Sequence, residues 1–124
     1  MKFFRSGIEL DVPENAYYPE EDSLLLAEEA RKAAKPGMGC LDMGCGSGII
    51  AIMMAKKGAI VTATDVSKDS IAATRKNAIA NDVAITAVES DLFAAVRDKY
   101  DLIAFNPPYL PEGEGDEYLT DMRS

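Results

Sequence analysis

The sequence predicts an α/β domain, an open and mostly parallel sheet with flanking helices. Three observations carry that expectation. From about residue 39 onward, short apolar runs alternate with helical patterns, the order that produces parallel strands joined by right-handed crossovers. A glycine-rich turn, Gly44-Cys45-Gly46-Ser47-Gly48, leads from one apolar run into an apolar helix, and such turns sit where open α/β sheets bind ligands. Asp65 and Asp91 then close the next two runs, which places a carboxylate at each of two further strand tips.

Each element follows in order. Ile8, Leu10 and Val12 form a short apolar alternation, followed by Tyr17-Tyr18-Pro19-Glu20-Glu21-Asp22-Ser23 and then Leu24-Leu25-Leu26-Ala27. The acidic residues crowd the start of a helix and Arg31, Lys32 and Lys35 crowd its end, as the helix dipole favours. Pro36-Gly37 stops it. Cys40 to Met43 is a strand feeding the glycine turn, and Ile49 to Ala55 is apolar all round, so it reads as a helix buried on most sides. Ile60 to Thr64 is rich in β-branched residues and ends at Asp65, the profile of a second strand. Ser67 caps the next helix, in which Ile71, Ala78 and Ile79 fall on one face. Asn81-Asp82 ends it, Ala84 to Val88 is the third strand with Asp91 beyond it, and Tyr100 to Phe105 is the fourth.

The length suits one domain over residues 1–124, and a 48% hydrophobic composition supplies a core. The stretch 111–124 holds five acidic residues and two glycines and reads as a mobile acidic tail or loop. With Asn106 closing the last predicted strand, one edge of the sheet is left unpaired. The expectation is therefore a partial domain that lacks its carboxyl-terminal strands.

Charge and composition exclude several function classes. There are 13 Lys and Arg against 21 Asp and Glu, a net charge of -8, which disfavours nucleic-acid binding through clustered cations. No apolar run approaches the roughly 20 residues that span a bilayer, and the amino terminus has no signal-like pattern, so a cytoplasmic protein is expected. Cys40 and Cys45 lack the spacing of a zinc or redox pair and read as small buried hydrophobes, and with no histidine present no metal site is expected.

The chemistry gathers at the strand tips. Gly44, Gly46 and Gly48 permit a tight turn and close backbone approach, and the helix they open offers free N–H groups. Alone the turn is a weak signal, and each aspartate alone is an ordinary cap or loop residue. Together, Asp65 can accept both ribose hydroxyls and Asp91 an adenine amine, which points to an adenosine-bearing ligand lying across the tips. The loop lacks the Gly-x-Gly-x-x-Gly spacing of a dinucleotide site, and Asp42, two residues ahead of it, suits a ligand with an ammonium group. S-adenosylmethionine matches. Beyond the fourth strand lies Asn106-Pro107-Pro108-Tyr109. Asn106 Oδ1 and the Pro107 carbonyl can accept the two hydrogens of a planar NH2 group, and Tyr109 can stack on its face.

Asp42-x-Gly44-x-Gly46-x-Gly48, Asp65, Asp91 and Asn106-Pro107-Pro108-Tyr109, in that order, resemble the class I S-adenosylmethionine-dependent methyltransferases of planar amino groups, with their Rossmann-like fold. Tyr18-Pro19-Glu20-Glu21-Asp22-Ser23-Leu24-Leu25-Leu26 resembles the HemK family, especially its short eukaryotic and archaeal branch. The resemblance covers about residues 8 to 110. It implies methylation of the glutamine in the Gly-Gly-Gln motif of a class I peptide release factor, and a small zinc-containing activator subunit as partner. It further implies that Gly44, Gly46, Gly48 and Asp42 face the methionine moiety, that Glu21 and Ser23 close over its end, that Asp65 holds the ribose and Asp91 the adenine, and that Asn106, Pro107 and Tyr109 act on the amide. Rival readings are an adenine or guanine amine of DNA or RNA as acceptor, a non-catalytic S-adenosylmethionine-binding module, and a nicotinamide oxidoreductase, the last opposed by the loop spacing.

Overall fold

A computed structural model describes residues 2–12, 21–91, 99–106 and 118–121. Strands β1 (Lys2–Arg5) and β2 (Ile8–Asp11) form an antiparallel hairpin in which Arg5 pairs with Ile8. The two intervening residues, Ser6 and Gly7, both take positive φ, as the tightest hairpin turns require. The alternation read at Ile8, Leu10 and Val12 is real, since all three are buried. Strand β1 was not anticipated.

The remaining elements are α1 (Glu21–Ala33), β3 (Gly39–Met43), α2 (Ile49–Lys56), β4 (Ile60–Asp65), α3 (Lys68–Ala80), β5 (Ile85–Glu89), β6 (Leu102–Phe105) and β7 (Tyr118–Asp121). The main sheet has the order β5-β4-β3-β6-β7. Its first four strands are parallel, and β7 runs antiparallel to β6 with Leu102 opposite Asp121. Strand β7 lies in the stretch read as a mobile tail, so β6 has neighbours on both sides and is not the edge strand the sequence suggested. Four residues with no apolar periodicity gave no strand signal. Their order comes from the open backbone groups of β6, which a passing chain can satisfy.

Helix α2 is buried from Ile49 to Met54, as its all-round apolar pattern requires. It packs against α1, β3 and β4, and it also touches α3 and the hairpin strand β2. Helix α3 departs from expectation. Ile71 and Ala78 are buried, but Ile79 is 80% exposed. Its inner face instead carries Thr74, Asn77 and Asn81, all buried, because their polar groups find backbone partners there. Among the described residues no helix is long and apolar enough to cross a membrane.

Candidate functional site

The strand order reverses between β3 and β6, and the crevice at the carboxyl ends of parallel strands beside such a reversal is where open α/β sheets place ligands. A cleft opens there, lined by Met43, Gly44, Thr64, Asp65, Val66, Ser90, Asp91 and Phe105. The parallel register brings these residues level: Met43 lies opposite both Thr64 and Phe105, and Asp65 opposite Glu89. Sequence reasoning named Gly44, Asp65 and Asp91 but missed Val66, which supplies apolar wall. The signal in the sequence was an apolar residue immediately beyond a strand that ends in a carboxylate; the structure leaves it 54% exposed.

The glycine turn is pinned on several sides. Gly44 and Cys45 donate their N–H groups to the Thr64 carbonyl at 2.8 and 3.0 Å. Gly44 has φ +78, and a Cβ there would collide with the backbone carbonyl of Asn106, so only glycine lets the tips of β3 and β6 approach this closely. Gly48 (φ +97) is packed on Thr74, whose side chain would lie 3.2 Å from a Cβ. Thr74 Oγ1 also donates to the Gly46 carbonyl (2.9 Å). Gly48 is thus fixed against α3, whereas a Cβ on Gly46 would meet nothing within 4 Å.

Asp65 is held from both ends. Its Oδ2 accepts from Gly46 N (3.0 Å) and its Oδ1 from Ser67 N (2.9 Å), which leaves each carboxylate oxygen a lone pair for a further donor. Asp91 is exposed at the rim, and Ser90 N donates to the Asp65 carbonyl at 2.9 Å.

Asp42 departs from its expected place. Its side chain is fully buried, and Oδ2 accepts from Ala51 N in the first turn of α2 at 3.1 Å. The residue preceding that turn, Gly48, has no side chain with which to cap it, so the strand supplies the acceptor instead. Oδ1 of Asp42 has no hydrogen-bond partner among the described residues. Burial pushes the Asp42 carboxyl up to about 7, with repulsion from Asp65 adding and the Ala51 N–H opposing. Asp42 thus supports the glycine turn from beneath and does not line the cleft. Burial likewise raises the Cys45 thiol far above its ordinary range, so it is inert packing, as expected of a buried cysteine.

Asn106 follows β6, its N–H bonded to the Met43 carbonyl at 3.0 Å. Its Nδ2 donates to Ser23 Oγ on α1 at 2.9 Å. Ser23, expected at the cofactor, is therefore joined to the predicted amide clamp, a contact across 83 positions that no local pattern encodes. Glu21 is the first residue of α1. Pro107, Pro108 and Tyr109 lie outside the described residues, as does the preceding segment 13–20.

A second group, also missed, lies behind the turn. Asn77 is 1% exposed; its Nδ2 donates to the carbonyls of Ser47 (2.8 Å) and Asp11 (3.1 Å), and its Oδ1 accepts from Asp11 N (2.8 Å). Asn81 repeats the pairing one turn on with Glu9, through Glu9 N (3.0 Å) and Glu9 O (2.7 Å). Two carboxamides thus act as the missing neighbour of β2 and tie the hairpin to the glycine turn. The available signal was three polar residues at helical spacing on a face expected to be apolar. Among the described residues no cluster of His, Cys, Asp or Glu could hold a metal ion.

A glycine turn between β3 and α2, a carboxylate at the end of β4 and a cleft at the point of strand reversal define a Rossmann-like class I methyltransferase fold. The chain belongs to the methyltransferase small domain family, which it matches over residues 20–121. It is 40% identical over 118 residues to a Methanocaldococcus jannaschii protein named as a protein N5-glutamine methyltransferase, covering 92% of this chain and 59% of that one. To the release factor glutamine methyltransferase of Geobacter sulfurreducens it is 32% identical over 94% of this chain and 42% of that one. The chain thus spans about half the length of these curated relatives. Among solved structures, the T. thermophilus 16S rRNA N2 G1207 methyltransferase in complex with AdoMet and guanosine superposes with TM-score 0.76 and 27% identity over 91% of this chain and 33% of that one.

Proposed function

We propose that the protein is an S-adenosylmethionine-dependent N-methyltransferase whose acceptor is the side-chain amide of glutamine in the Gly-Gly-Gln motif of a class I peptide release factor. The observation that carries this is Asn106, set one residue past cleft-lining Phe105 with its NH2 group engaged by Ser23. A carboxamide whose donor is occupied presents its oxygen, and an oxygen is what an incoming amide NH2 needs. Relatives named as glutamine methyltransferases support the same acceptor, and a cytoplasmic location goes with it. The small zinc-containing activator rests on the family resemblance alone.

The residues present fit the cofactor. Asp65 retains acceptor capacity on both oxygens for a ribose diol, Val66 and Phe105 wall a slot for a flat ring, and Asp91 stands at the rim to accept from its amine. Gly44 permits close approach of the ligand to the backbone, and Glu21 and Ser23 would close over the methionine end. S-adenosylmethionine supplies a methyl group activated by its sulfonium.

The chain's own part is to hold and polarise the acceptor. An amide nitrogen is a poor nucleophile because its lone pair is delocalised into the carbonyl. Asn106 Oδ1 and the Pro107 carbonyl, each accepting one amide hydrogen, favour the positive charge that grows on nitrogen as it reacts. Tyr109 packing against the amide fixes its plane, and positioning supplies much of the rest. The sequence has no histidine, and the proton shed by nitrogen passes to water past the accepting carbonyls.

The guanosine-bound relative favours a second acceptor, the exocyclic amine of a guanine in RNA. The net charge of -8 opposes it. Labelled methyl donor offered to the full-length protein with a release factor, and separately with RNA and DNA, decides between them. Label should enter the release factor and vanish when the Gly-Gly-Gln glutamine is replaced. Label entering nucleic acid alone would overturn the glutamine assignment.

A further inference from the structure

We propose that Ser23 is a positioning residue that makes the Asn106 clamp directional, through the hydrogen bond its Oγ accepts from Asn106 Nδ2 at 2.9 Å. This rests on the assignment of Asn106 to the acceptor amide and adds what that assignment needs. The terminal torsion of asparagine is broad and roughly two-fold, and its two ends have opposite chemistry, since Oδ1 only accepts and Nδ2 only donates. A carboxamide free to flip would present its NH2 group to the substrate's NH2 in one of its two orientations, donor facing donor.

The backbone of Asn106 is already fixed by its N–H bond to Met43 O (3.0 Å), which continues the β3–β6 ladder. What remains free is the side chain, and among the described residues its partner is Ser23. Ser23 sits in the first turn of α1, a helix that packs against β6 and β7. The orientation of the clamp is therefore set by docking of α1 onto the sheet, not by the strand that carries the asparagine. A hydroxyl can also donate, so Ser23 holds Nδ2 rather than Oδ1 toward itself when its own proton is given to a second acceptor, which the methionine carboxylate of the bound cofactor would supply.

The test uses the full-length protein with Ser23→Ala, Ser23→Thr, Asn106→Ala and the Ser23→Ala/Asn106→Ala pair. Turnover is read at saturating S-adenosylmethionine, so that any weakening of cofactor binding does not enter kcat. Ser23→Ala should lower kcat about 3- to 10-fold, the range set by loss of one neutral hydrogen bond, and Ser23→Thr should restore it. In the Asn106→Ala background Ser23→Ala should have no further effect. Without substrate or cofactor, NMR should show the side-chain NH2 hydrogens of Asn106 exchanging faster in Ser23→Ala and returning to their original rate in Ser23→Thr. Unchanged exchange, unchanged kcat in Ser23→Ala, or an equal loss in the Asn106→Ala background would each overturn the positioning role. Full kcat in Asn106→Ala is a separate result and would overturn the clamp itself.

Discussion

Asp42→Asn tests the structure most directly, because it changes the charge of a fully buried group whose surroundings are known. The Asp42 carboxyl stands at about 7 in the folded protein against 3.8 for a free aspartate. Between those values the folded protein keeps a proton that the unfolded chain has released, so stability falls as pH rises through that window. Three units at 1.36 kcal/mol each make the full penalty about 4 kcal/mol, of which less than half is present at about pH 5 and nearly all at about pH 8.5. Asparagine carries no charge and its Oδ1 can still accept from Ala51 N. Its NH2 replaces an oxygen that has no partner among the described residues, which adds a cost of about 1–3 kcal/mol that does not vary with pH. Asp11 and Glu28 are held below their ordinary values by hydrogen bonds from Lys76 and Arg31 respectively. They pull in the opposite sense, with stability lost as pH falls, but they are common to both proteins and cancel in the difference. Urea unfolding of the two proteins across that range is the assay. The variant should gain about 2–3 kcal/mol on the original between about pH 5 and about pH 8.5. Parallel profiles would show that Asp42 ionises normally and is not enclosed as described.

Gly44→Ala should destabilise by about 2–4 kcal/mol, since its left-handed φ opposes any side chain and the new Cβ meets the Asn106 carbonyl. A melting temperature unchanged from the original would mean that the tips of β3 and β6 stand further apart. Asn77→Ala removes three hydrogen bonds that link α3 to Asp11 and Ser47 and should cost about 2–4 kcal/mol. Hydrogen exchange reports it locally: the Asp11 amide should lose protection while the Val61 and Ala63 amides in β4 keep theirs. Retained protection at Asp11 would show that the hairpin is held by some other contact.

The fold from β3 to β6 is legible in the sequence because each element there carries its own signal over a few residues. Ile60 to Thr64 is β-branched, Ile49 to Met54 is apolar on every side, and Ser67 accepts from Ser70 N (3.2 Å) at the start of α3, as its cap position predicts. Strands β1 and β7 escaped for the opposite reason. Lys2–Arg5 is exposed except at Phe3, and Tyr118–Asp121 follows an acidic stretch rich in glycine, so neither alternates. Each is a strand because an open neighbour, β2 or β6, has backbone groups to satisfy. Edge strands of this kind are specified by the partner's sequence more than by their own.

The site divides along the same line. Gly44, Asp65, Asp91 and Asn106 could be read directly, because a parallel sheet brings successive strand tips level and sequence order alone then predicts that they meet. The depth of a side chain at a tip is not encoded that way. Asp42 sits two residues before the glycines and alternation along β3 does not reveal that its carboxylate turns under the loop to the first turn of α2, since that depends on where α2 begins. Ser23 and Asn77 were harder still. Each acts through a partner dozens of positions away, Ser23 on Asn106 and Asn77 on Asp11 and Ser47, and each partner group, a carboxamide or a backbone carbonyl, is too common to mark a sequence. Yet both tie amino-terminal elements to the cleft end of the sheet, the hairpin through Asn77 on α3 and Asn106 through Ser23 on α1. Losing either tie should therefore disturb the cleft without altering a residue that lines it.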